Sequence, residues 1–80
     1  MNQFFFDLAG SASAHDRVGH PCVSRREAQE HAKFIAHRIG AEKPELSKRG
    51  NYIRVRDESG TKIYEAPIHP EPFHRSRFAA

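Results

Sequence analysis

The residues of this 80-residue sequence best suited to chemistry include His15, His20 and Cys22, close together near its start. Imidazole and thiolate both suit zinc, and the His-x-Cys spacing brings two such groups together. A structural zinc site wants four ligands, however, and no second closely spaced pair follows. His31 and His37 stand six residues apart, off the spacing that puts two side chains on one helix face. Surface histidines and a buried thiol account for the same residues, so no metal ligand is assigned. Cys22 and a nearby histidine also supply a nucleophile and a base, but that chemistry needs an orienting group and an oxyanion site, which spacing alone does not provide. Asp7, Asp16, Asp57 and Glu58 are accounted for as strand-end and turn residues more simply than as an acid and base pair. Gly10, Gly19, Gly40, Gly50 and Gly60 are evenly dispersed, so no phosphate-cradling loop is present. The expectation is a non-enzymatic chain with no catalytic residue, cofactor or small-molecule substrate.

The more informative grouping is Phe5, Tyr52, Arg54 and Arg56. If the segments carrying them are strands, alternation sends all four to one open sheet face. Aromatic and guanidinium groups side by side can stack bases and contact phosphates, which makes nucleic acid one candidate partner. The plainer account is a solvated sheet face with ordinary cross-strand packing. Between these lies the leading expectation, a protein-interaction or self-association module that uses this face or a strand edge.

The elements that must position these residues follow from periodicity. Gln3 to Leu8 puts Phe4, Phe6 and Leu8 on one side and Phe5 and Asp7 on the other, the period-2 pattern of a strand. Residues 9–14 are rich in Gly, Ser and Ala and read as a loop, and His15 to Val18 is the expected short second strand. Ser24-Arg25-Arg26-Glu27 fits a capping box, so a helix starts there. Ala28, Ala32, Ile35 and Ile39 give it one narrow apolar stripe, and Gly40 is its expected terminator. Residues 41–51 read as a connection with at most one helical turn. Tyr52 to Asp57 alternates again, Ser59-Gly60 supplies the turn, and Lys62 to Pro67 returns. The expected fold is α+β: a three- or four-stranded antiparallel sheet with one α-helix packed on one face, in the order β-(β)-α-β-β. Residues 1–68 form this single domain, and residues 69–80, with two prolines and no periodicity, form a poorly ordered tail.

Composition narrows the setting. Leu, Ile, Val and Phe make up about a fifth of the chain, enough for one thin core, so a homodimer is a natural source of extra burial. The formal charge of +3 and pI near 9.4 permit an acidic partner without demanding one. One cysteine forbids an internal disulfide, no secretory signal opens the chain, and Phe4-Phe5-Phe6 is far too short to span a bilayer. A cytoplasmic protein that does not engage membranes is expected.

With the elements placed, Phe4-Phe5-Phe6-Asp7, Asp16-Arg17-Val18-Gly19, the helix with Ala28 and Ala32, and Val55-Arg56-Asp57-Glu58-Ser59-Gly60 carry a resemblance. Over residues 3–68 the chain is similar to a family of short bacterial proteins catalogued as a domain of unknown function, number six-eight-nine-four. It departs from that pattern at Arg25, where an apolar residue is expected, and across His20-Pro21-Cys22, where Cys22 would fill a small core site. The resemblance implies an α+β fold and brings no activity, cofactor or site residue.

Overall fold

The structure is a computed structural model and describes residues 2–68, so the expected tail at 69–80 lies outside the described residues. Four strands and two helices follow in the order β1 (Asn2–Ala9), β2 (His20–Cys22), α1 (Arg25–Glu42), α2 (Pro44–Ser47), β3 (Tyr52–Arg56) and β4 (Lys62–Pro67). The strands make one antiparallel sheet in the order β2-β1-β3-β4, with α1 packed on one face, so the fold is α+β as expected.

The core lies between α1 and the helix-facing side of the sheet. Phe4, Cys22, Ile53, Val55, Ala66 and Ile68 are buried against Ala28, Ala32 and Ala36, and Phe6, Leu8, Ile35 and Ile39 pack around them. Alanines every four residues let the helix approach closely, which spares a short chain the large side chains it lacks.

Two expectations are corrected here. The short second strand is His20–Cys22, while His15 to Val18 belongs to the loop before it, because Asp16 turns that loop by accepting the N–H groups of Val18 and Gly19. Gly40 does not end the helix either. It is buried on the alanine stripe, and α1 runs on to Glu42. What stops it is Pro44, which pushes the preceding Lys43 out of helical conformation, to φ −134° and ψ 73°. At the other end Ser24 Oγ accepts the N–H of Glu27 at 3.1 Å, and Glu27 reaches back to the N–H of Val23 at 2.7 Å, one residue beyond a standard box.

The sheet edges have a common feature. Leu8 and Ala14 exchange both backbone bonds at 3.0 Å, so the even residues of β1 aim their N–H and C=O groups toward β2. Gln3 and its partner Pro21 therefore form a non-hydrogen-bonded pair, and the missing N–H of Pro21 falls on the outer edge. On β4 the bond from Ile68 N–H to Asn51 C=O sets the same alternation, which turns Pro67 outward. Each edge strand thus carries a proline where an added strand would look for a donor.

Candidate functional site

The face of the sheet away from α1 is built by cross-strand register. Phe5 stands opposite Arg56, Asp7 opposite Arg54, and Ala9 opposite Tyr52, so the four residues singled out in the sequence do share this face. A fifth residue organises it. Asp7 is 1% exposed although it points away from the core, because the loop between β1 and β2 folds over it.

Arg56 crosses diagonally from its place opposite Phe5 to grip Asp7 with one edge of its guanidinium, Nε to Oδ2 at 2.7 Å and Nη2 to Oδ1 at 3.1 Å. Nη2 also donates to the Asp16 carbonyl at 3.1 Å, and the guanidinium lies over the Phe5 ring, 5.0 Å from its centroid. Asp16 closes the cluster from the loop. Its N–H donates to Asp7 at 2.9 Å, and its own carboxylate accepts the N–H groups of Phe6, Val18 and Gly19. Gly19 sits at φ +82°, and a Cβ there would lie 2.9 Å from the Phe5 ring, so glycine is what lets the loop lie flat on that ring.

The electrostatics follow from these bonds. Burial pushes the Asp7 carboxyl up, but hydrogen bonds from Arg56 and the Asp16 N–H, with the charges of Arg56 and His15, outweigh it and hold Asp7 below the ordinary carboxylate value. Burial likewise opposes ionisation of Asp16, and three backbone N–H donors overcome it and the repulsion from Asp7. Arg56 is held above the ordinary arginine value, chiefly by its bond to Asp7.

His15 sits on the rim, 58% exposed, with Nδ1 3.5 Å from Asp7 and Nε2 3.4 Å from Arg56 Nη2. Both ring nitrogens are therefore turned toward the network. Arg54 differs from Arg56. Its Nε lies 3.5 Å from Asp7 and is buried without a hydrogen-bond partner, while the side chain as a whole is 38% exposed. Tyr52 beside it is also partly exposed.

Cys22, weighed as a nucleophile or ligand, is buried in the core on the opposite side of the sheet. Burial, then the nearby Glu27 carboxylate, push its thiol up. No group of three or more His, Cys, Asp or Glu side chains suited to a metal ion occurs among the described residues. Asp57 is a turn residue, accepting from Ser59 and Thr61. Glu58 Oε2 accepts the Gln3 N–H at 3.0 Å.

Of the network's residues, Asp7 and Arg56 lie in the opening and closing pieces that carry the resemblance. A family model described as a domain of unknown function (DUF6894) matches residues 3–69. The chain belongs to this family. No curated protein and no solved structure matches it. In this DUF6894 domain the described helices include none long and apolar enough to cross a membrane.

Sequence reasoning missed two residues that hold the site. Asp7 reads as a strand-end residue, yet an acidic side chain inside an aromatic strand is disfavoured by propensity and signals a buried partner. Asn51 is 2% exposed. Its Oδ1 accepts from Ser11 Oγ and the Ala12 N–H while its Nδ2 donates to the Leu46 carbonyl, tying the start of the covering loop to the end of α2. Nothing in its local pattern marks it apart from an ordinary turn asparagine.

Proposed function

We propose that this domain is a non-enzymatic binding module that takes a protein partner on the outer face of its sheet, either a different protein or a second copy of itself. One arrangement carries the reading: Arg56 is clamped flat by Asp7, Asp16 and Phe5, while Arg54 and Tyr52 next to it remain partly exposed. Side chains already fixed lose little freedom on binding, and Tyr and Arg are the residues that most often anchor protein interfaces. The prolines on both edge strands make the face a better docking surface than either edge. A small core gives self-association something to add, and a reduced Cys22 suits a cytoplasmic setting.

Light scattering on a size-exclusion column, with wild type and Arg54→Glu side by side, separates the versions. A dimer in wild type that is lost in Arg54→Glu supports the self-association version. A monomeric wild type whose copurifying protein is lost in Arg54→Glu supports a foreign partner. A monomer that retains the same copurifying proteins in both forms ends the proposal for this face.

Nucleic acid is the second reading, favoured by the partly exposed side chain of Arg54 beside Tyr52. Arg56 adds less to it, because its Nε and Nη2 donors are committed inside the chain. Binding of labelled DNA or RNA should then weaken with salt and vanish in Arg54→Ala, and absence of binding at low salt removes this version.

A further inference from the structure

The helix side of the sheet carries a second cluster that the outer face does not use. His20, opposite Phe4 in the register, faces α1 and stacks on His31, with centroids 4.2 Å apart and planes 7° from parallel. Phe6 meets both rings edge-on, at 6.5 Å from His20 and 4.9 Å from His31. Phe34 lies 6.3 Å from His31 one turn further along α1. A three-residue edge strand is therefore fastened to the helix by two titratable rings, in addition to Cys22 in the core.

We propose that this stack is an acid-sensitive clamp: neutral, it holds β2 against α1, and on protonation it releases β2 from the edge of β1. The charged and titratable groups acting on His31 are His20 from β2 and Glu27, one turn earlier on α1, while β1 presents the uncharged Phe6. Burial first, and then His20, hold His31 below the ordinary imidazole value of 6.5, against the opposing pull of Glu27. The folded chain accepts this proton less readily than the unfolded chain does. The clamp is thus complete above 6.5 and fails as pH falls below that value toward the depressed folded one. β3 and β4 contain no histidine, so neither strand carries a titrating ring of its own in this range. What the release uncovers is the β1 backbone at Asn2 and Phe4, an edge without proline.

Amide hydrogen exchange followed by NMR tests this, corrected for the intrinsic rate and read as protection of Phe4 relative to Val55. Between about pH 7.5 and about pH 5 the ratio should fall several-fold in wild type and stay level in His31→Phe, which keeps a ring but cannot titrate. Should His31→Phe fail to fold, His31→Gln, which is uncharged at every pH, serves with the same expectation. An unchanged ratio in wild type, an equal fall in the variant, or a His31 ring that titrates at or above 6.5 by NMR overturns the clamp.

Discussion

Asp7 decides more about this molecule than any other single residue. Alternation correctly sends it to the face away from the helix, where an isolated carboxylate should be wet. It is buried because residues 10–19 fold over it, and that loop has no period from which its path could be read. The cover holds because Asp16 satisfies three backbone N–H groups and offers its own N–H to Asp7. Breaking a buried pair by removing one charge leaves the other uncompensated and typically costs about 3 kcal/mol or more. Asp7→Asn should therefore lose about 3 kcal/mol in urea denaturation, a large part of what an 80-residue domain possesses. The same variant has a signature in acid. Asp7 and Asp16 are both held below the ordinary value of 3.8, so the unfolded chain binds their protons first. The stability they contribute is present above that value and drains away as pH falls through the depressed folded values. Asp7→Asn should have a shallower fall of stability below about pH 4 than wild type, and equal slopes would mean that the carboxylate is not paired as described.

At the scale of elements the sequence was most legible where alternation was strongest. The β3–β4 hairpin, with Gly60 at φ +90° in its turn, and β1 were read closely, and the helix start at Ser24 was placed correctly. The misplacement of β2 has a physical origin, since three residues containing a proline carry no measurable period. The helix end was misread because glycine has two uses. Gly40 continues the series Ala28, Ala32, Ala36 and serves close packing, while the stop signal comes from Pro44. That series also makes a sharp prediction. Ala32 is fully buried beneath the helix, and a larger side chain there must lift α1 from the sheet. Ala32→Leu should cost about 1–3 kcal/mol by urea or thermal denaturation, whereas exposed Ala41→Leu on the same helix should stay within about 0.5 kcal/mol. Equal effects at the two sites would show that the alanine stripe is not what sets the helix-to-sheet distance.

For the whole molecule, the decisive property is how the sheet ends. A small antiparallel sheet with open edges is prone to add strands from its neighbours, and a formal charge of +3 offers only modest repulsion against that. This chain answers with proline at the outward-facing positions of both edge strands, Pro21 on β2 and Pro67 on β4, and on β4 adds the paired charges of Lys62 and Glu65. Neither edge strand therefore offers an unbroken row of donors to an added strand. Restoring the missing donor should reverse that without disturbing the core, because Pro67 is exposed and its nitrogen points away from β3. Pro67→Val should keep wild-type secondary structure by circular dichroism but associate at lower protein concentration, with a higher mass by light scattering. The association should persist when Arg54→Glu is added, since it would run along the edge and not across the outer face. If Pro67→Val matches wild type at every concentration, proline does not guard that edge, and docking on β4 becomes as reasonable as docking on the face around Arg54.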